Sequence, residues 1–176
     1  MISIEKIKVH SGELFLKAME LYESAFPEIE RRDVPEQMRV MSKSDYRLSA
    51  IMDGVEFLGI IFYWETDDFI FIEHLAVSAE RRGEGVGSYA LEIMKGLGKK
   101  LILEIEPPVD EVTKRRLSFY ERAGFKLTDH HHIQAKYRVG DEDLVLKILS
   151  YPEKISAREY EAFYEYMIKE VGVRVD

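Results

Sequence analysis

The chain has 176 residues, enough for one sizeable core and too few for more than two small domains. It contains no cysteine, which excludes disulfides, thiolate metal sites and a cysteine nucleophile. With 25 basic and 33 acidic residues the net charge is −8, and there is neither the basic stripe of a nucleic-acid binder nor an apolar run of the roughly 18 residues that span a bilayer.

The opening Met1-Ile2-Ser3-Ile4-Glu5-Lys6 lacks the basic-then-apolar pattern of a secretory signal, so a cytoplasmic location is expected. Ile2 to Val9 alternates apolar and polar residues, as a half-buried strand does. Ser11 is placed to cap a helix with Leu14, Ala18, Leu21, Tyr22 and Ala25 on one side, and Pro27 ends it. A short second helix is expected near Pro35 to Met41. Asp53-Gly54 separates the apolar runs Tyr46–Met52 and Glu56–Trp64, a hairpin signal. Phe69 to Val77 follows as a third strand after Asp67-Asp68. Val86, Ala90, Ile93, Met94 and Leu97 then recur at helical spacing, closed by Gly96 and Gly98. Leu101–Glu106 reads as a strand stopped by Pro107-Pro108, and Asp110–Ala123 as a helix ended by Gly124. Phe125 to about Val139 and Leu144–Leu149 read as two more strands. Ser156 with Glu159 forms a capping box for a last helix, which carries Tyr160, Phe163, Tyr164, Met167, Ile168 and Val171 on one stripe. That stripe has two fates open to it, packing on the sheet or forming a homodimer interface. No linker or repeat divides the chain, so a mixed α/β sheet covered by helices is expected.

The segment from His74 to Ser88 carries the most chemistry. A strand ends in Arg81-Arg82-Gly83-Glu84-Gly85-Val86-Gly87-Ser88 and runs directly into a helix. Unpaired amides of a first helical turn, the helix dipole and close backbone approach at glycine make an anion cradle, to which Arg81 or Arg82 adds a full charge. The Lys-Ser/Thr pair of a nucleotide triphosphatase loop is missing, since Ser88-Tyr89 follows the last glycine. The G-x-G-x-G spacing also departs from the G-x-G-x-x-G of dinucleotide folds.

Arg82-Gly83-Glu84-Gly85-Val86-Gly87 fits the R/Q-x-x-G-x-G/A motif of the GNAT superfamily of N-acetyltransferases, and Phe119-Tyr120-Glu121-Arg122-Ala123-Gly124-Phe125 resembles its second signature, Y-E-x-x-G-F. The two stand in the family's order with one strand between them. The resemblance covers about 150 residues, so residues 1–150 are read as the N-acetyltransferase domain and 151–176 as a helical extension packed on it. It implies a largely antiparallel sheet of about seven strands with helices on both faces. It further implies acetyl-CoA as cosubstrate, the pyrophosphate on Arg82, Gly83, Glu84, Gly85, Val86, Gly87 and Ser88, and the pantetheine arm along Leu75, Ala76 and Val77. A bulge in that strand, known in the family, would open the site. The implied reaction is direct attack of a primary amine, on a small molecule or a peptide, within a ternary complex. The alternative on the same fold is a non-catalytic acyl-CoA-binding or sensing module.

Such a reaction needs a base for the amine, an oxyanion donor such as the Val77 N–H, and an acid for the leaving thiolate. Tyr120 matches the family's tyrosine acid. The base is expected to be Glu73, Glu104 or Glu106, or a water, with Glu73 placed just before the cofactor edge; strand alternation points His74 away from Glu73. Relatives carry an asparagine seven residues before the tyrosine, where this chain has Thr113. His130-His131-His132 lacks the flanking ligands of a metal site, and no metal is expected. The loop Phe26–Asp33 lies where relatives build the acceptor pocket, and the acidic strand residues favour a cationic acceptor.

Overall fold

The Asp53-Gly54 turn, with Gly54 at a left-handed φ of 59°, joins strands β2 (Tyr46–Asp53) and β3 (Glu56–Glu65) into an antiparallel hairpin. A computed structural model describes residues 1–8 and 10–173 of the chain. Strand β1 (Ile2–Lys6) pairs with β2 on its outer edge, and β4 (Phe69–Val77) pairs with β3 on the other side. Strand β5 (Lys100–Ile105) runs parallel to β4, the one parallel pair among the described residues. Strand β8 (Val145–Tyr151) then pairs antiparallel with β5, β6 (Lys126–Leu127) and β7 (His132–Ile133). The strand order is β1-β2-β3-β4-β5-β8-β6, with β7 also on β8.

Helices cover both faces. Helix α1 (Glu13–Ala25), α2 (Val34–Met41) and α5 (Ala157–Tyr166) bury Tyr22, Val40 and Phe163 against Phe62, Trp64 and Phe71. Helix α3 (Val86–Lys95) and α4 (Glu111–Arg122) cover the other face, where Leu91 and Met94 meet Ile61, Ile70 and Leu101. Each fully buried side chain of this size contributes about 1.5–3 kcal/mol, so the sheet is fixed from both sides.

Several expectations shift in detail. Strand β1 ends at Lys6, and Val9 lies outside the described residues. Gly12 rather than Ser11 stands at the N-cap of α1. The single strand expected over Phe125–Val139 is broken: β6 and β7 pair with separate stretches of β8. Between them the polar Asp129-His130-His131 leaves the sheet, and the His130 ring stacks on Tyr160 at a centroid distance of 4.2 Å. The Ser156–Glu159 capping box forms, and α5 continues through a π-helical turn over Met167–Val171. Its stripe packs on the chain's own sheet through Phe163, Met167 and Val171, all fully buried, while Ile168 faces outward. The buried part of the stripe is therefore not available to a second copy. No helix among the described residues is long and apolar enough to cross a membrane.

Candidate active site

A bulge and a parting of strands make the central cleft. Opposite β4 the register shifts between Phe62 and Tyr63: Phe62 pairs with His74 and Tyr63 with Ile72, leaving Glu73 as the extra residue. Pairing of β4 with β5 ends at Ile72–Leu103. Beyond that point the strands separate around a cavity of about 300 Å³, lined by Glu73–Val77 on one side and Leu103–Glu106 on the other. Phe26, Glu30, Gln134, Tyr137 and Tyr120 complete its walls. The Ser78 N–H donates to Leu58 O on β3. Backbone groups alternate sides along a strand, so the N–H groups of Val77 and Leu75 face the opening.

The glycine turn forms a groove continuous with this cleft. Leu75, Ala76, Val77, Arg82, Gly83, Gly85, Val86, Gly87 and Ser88 all line it. Gly85 is the N-cap of α3 at φ 79° with no side-chain cap, and Gly83 also has a positive φ of 82°. The first-turn amides of Val86, Gly87 and Ser88 have no acceptor within the helix. A methyl group at Gly87 would meet Phe119 Cζ at 3.2 Å, so α3 and α4 approach closely there. Glu84 is the exception among the expected cofactor residues: it does not line the groove and lies 3.5 Å from Arg81, which does and which also pairs with Glu56. Arg82 Nε donates to Val77 O at 3.3 Å, tying the turn to the end of β4. The sequence reading missed three further cations on α4: Arg115, Arg116 and Arg122 also line the groove. A signal for them lay in the run Lys114-Arg115-Arg116, but helical register alone does not say which face meets the turn. Uncapped amides, strand-edge donors and arginines fit a long anionic ligand that carries a phosphate at one end.

Tyr120 sits where the groove and the cavity meet and lines both. Burial pushes its phenol up to about 12 despite Arg116 nearby, so it holds its proton at neutral pH. Thr113 does not line the cleft. Its hydroxyl accepts from the Val109 and Asp110 amides at 3.0 and 3.1 Å, and its amide donates to Asp110 Oδ1, which completes the cap of α4.

The structure assigns Glu73 a different part from the base expected of it. Its side chain is fully buried and ion-paired with Arg32, itself buried. Trp64 Nε1 and the Tyr137 hydroxyl donate to the same carboxylate at 3.2 and 2.9 Å. Burial alone would raise this carboxyl, but Arg32 and His74 outweigh it and hold it at about 2. A carboxylate so held is a weak proton acceptor. His74 likewise departs from expectation. The bulge turns it to the same face as Glu73, among Tyr22, Phe26 and Phe62, with Nε2 against Glu30 O at 2.8 Å.

The acid that the cleft poises near neutrality is Glu30, on the 3₁₀ turn Glu28–Glu30 after α1. Burial raises it to about 7, helped by the Glu106 carboxyl within hydrogen-bond reach and by Glu104, and opposed by Arg116. Glu104 and Glu106 line the same cavity, and Arg116 Nη1 lies 3.5 Å from Glu106. The sequence placed Glu30 only within a loop expected near the acceptor. Of the histidine run, His132 is fully buried between Glu104 and Tyr160.

Comparison with known proteins gives the class. The acetyltransferase (GNAT) domain model matches residues 45–127, which include both motifs, the bulged strand and Tyr120. A curated Bacillus subtilis protein, the candidate acetyltransferase YjbC, is 34% identical over 103 residues. That match takes in 57% of this chain and 53% of YjbC, so the chain spans about half the length of this relative. Among solved structures, a candidate GNAT-family acetyltransferase from Bacteroides thetaiotaomicron is 27% identical, with a TM-score of 0.89 over 98% of this chain and 99% of that one. A GNAT acetyltransferase from Elizabethkingia anophelis, solved with acetyl-CoA bound, shares the fold at 16% identity and a TM-score of 0.56, covering 85% of this chain and 96% of that one. Residues 45–127 thus match the GNAT acetyltransferase domain, and the chain as a whole is similar in fold to GNAT-family acetyltransferases.

Proposed function

We propose that the protein transfers an acetyl group from acetyl-CoA to a cationic primary amine, on a small molecule or a peptide, within a ternary complex. The observation that carries this reading is the position of Tyr120, which lines both the groove of uncapped amides and arginines and the acidic cavity it opens into. The Val86, Gly87 and Ser88 amides, with Arg82 and the α4 arginines, would hold the phosphates. The free N–H groups of Leu75 and Val77 would align the pantetheine arm as an added strand does. Bound acetyl-CoA supplies the thioester carbonyl that the amine attacks.

The chain's own residues then divide the proton work. Glu30, raised to about 7, takes the first proton from the bound ammonium group and so frees the nitrogen lone pair for attack. The Val77 N–H faces the opening and donates to the developing oxyanion. Tyr120, protonated at neutral pH, donates to the thiolate as the C–S bond breaks, and the second proton, shed by the nitrogen once the C–N bond has formed, restores its hydroxyl. Glu104 and Glu106 give the cavity the negative charge that draws an ammonium group in.

An acceptor screen that reports release of free CoA tests the proposal. Alkyl amines, diamines, amino sugars and peptide N-termini are compared with neutral and anionic nucleophiles. Turnover confined to amines that are cationic in solution is expected. A chain that binds acetyl-CoA and never releases CoA would be a sensing module instead.

A further inference from the structure

Outside the residues that the family model matches, one buried hydrogen-bonded chain reaches the cavity. His132, on β7, is fully buried, and its Nε2 lies 2.9 Å from Glu104 Oε2. Its Nδ1 lies 2.9 Å from the Tyr160 hydroxyl, on α5, which is also 3.2 Å from the His131 carbonyl. The ring is boxed by Phe163 and Tyr164 of the same helix. The backbone of β7 is pinned to β8 through His132–Leu146, and Glu104 stands opposite Ile148 of the same strand. Both ends of the His132–Glu104 contact are thus fixed by one strand, and the far side of the ring is fixed by the C-terminal helix.

We propose that His132 and Tyr160 are positioning residues that hold the Glu104 carboxylate in the cavity as the seat of the acceptor's ammonium group, which makes α5 part of the acceptor site. A carboxylate on a strand facing a 300 Å³ cavity has rotamers that point elsewhere. The imidazole Nε2–H occupies one of its oxygens and so leaves the other for the ligand. The Tyr160 hydroxyl, which donates to the His131 carbonyl and lies 2.9 Å from Nδ1, fixes the ring plane, and the acceptor-only carboxylate of Glu104 opposite Nε2 calls for the proton there, as outer partners of functional histidines do. The groups facing this chain are Glu104 and Glu30 from the cavity, Tyr137 beside Glu104, and His130 and Tyr164 beside Tyr160. The inference rests on the acetyl-transfer reading for its substrate, but not for the hydrogen bonds themselves.

Two measurements separate the two claims. Nitrogen-15 spectra of the whole wild-type protein should show a His132 Nε2–H resonance protected from solvent exchange. Glu104→Ala should abolish that protection and Tyr160→Phe should move the Nδ1 resonance. An unprotected resonance that neither substitution alters overturns the proposal, whether or not the protein turns over. Steady-state kinetics, with the fastest amine of the acceptor screen, should show KM for the amine raised about 10–100-fold in His132→Leu, since a hydrogen bond to a charged group is lost. His132→Gln, which keeps an N–H donor, should recover most of this, and KM for acetyl-CoA should stay constant throughout. Adding Glu104→Gln to His132→Leu should cost little more than Glu104→Gln alone, because the two act through one carboxylate. Unchanged amine KM in a folded His132→Leu protein that still turns over would reject the positioning role and leave the acetyl-transfer reading standing. Absence of turnover with every amine would reject the transfer reading, and the spectra would still decide the hydrogen-bonded chain. If His132→Leu fails to fold, Tyr160→Phe carries the kinetic arm, with a rise in amine KM expected and a constant KM contradicting the proposal.

Discussion

Glu73 and His74 are neighbours in sequence and project from the same face of β4. The Glu73 carboxylate accepts from Trp64 and Tyr137, while the His74 ring lies edge-on to Tyr22 and Phe26 at 4.8 and 4.7 Å. Ordinary strand alternation forbids this arrangement, and the bulge opposite Phe62 and Tyr63 produces it. Immediately after the bulge β4 leaves β5, so the residue that anchors the irregularity also marks the mouth of the cleft.

The anchor is electrostatic. Glu73→Gln leaves the Arg32 guanidinium buried without its counter-charge, with Tyr137 as a ring partner at 4.6 Å. Removing one partner of a buried pair costs about 3–5 kcal/mol, or roughly 10 °C in Tm for a chain of this size. Thermal unfolding should show that loss, and Arg32→Met added to Glu73→Gln should recover much of it. The folded carboxyl titrates near 2 against an ordinary 4.5, so its contribution to stability is complete above about 4.5 and drains away as pH falls toward 2. The Glu73→Gln protein should lose that slope.

Glu30 behaves in the opposite sense. Its carboxyl is raised from 4.5 to about 7 in the folded protein. Between those values the folded state keeps a proton that the unfolded chain has released, so stability falls as pH rises through this window. A base must be unprotonated to work, so kcat/KM should climb up to about pH 7 and then level. Glu30→Gln should reduce kcat by about 100-fold, remove the limb and flatten the stability slope. A limb that persists in Glu30→Gln would place the base elsewhere.

Tyr120→Phe keeps the ring against Phe119 and Phe125 and removes only the proton donor. A fall in kcat of about 100-fold with KM for acetyl-CoA little changed is expected from steady-state assays. A matching rise in that KM with kcat intact would make the hydroxyl a binding group rather than an acid.

Gly59 tests the strand edge without touching any reacting group. A methyl there would press into the Ala76 carbonyl on β4, and backbone cannot rotate aside as a side chain can. Gly59→Ala should displace the Leu75–Val77 edge, costing about 1–3 kcal/mol in stability and weakening acetyl-CoA binding. Calorimetry that shows neither effect would mean the edge has more freedom than its packing indicates.

Much of this was legible in the sequence because it is local. The hairpin at Gly54, the uncapped glycine turn before α3 and the Ser156–Glu159 box each depend on residues within one turn of one another. What escaped depends on contacts across the sheet. Nothing in the alternation of Phe69–Val77 announces a residue inserted at Glu73, because a bulge is defined by the partner strand. Arg32 reaches Glu73 from 41 positions away, and His132 reaches Glu104 from 28. The loop that holds Glu30 read only as polar, and its displaced titration arises from burial and from Glu106 and Glu104, at and just beyond the end of β5 about 75 residues later.

The account depends most on the glycine turn as a diphosphate seat, and calorimetric titration of the intact protein with acetyl-CoA tests it directly. Saturable binding of one ligand per chain with Kd of about 1 μM, close to −8 kcal/mol, is expected, and it should weaken at least tenfold in Gly85→Val, whose backbone cannot hold the φ of 79° cheaply. No saturable heat at about 1 mM ligand, or undiminished binding by a folded Gly85→Val protein, would contradict it.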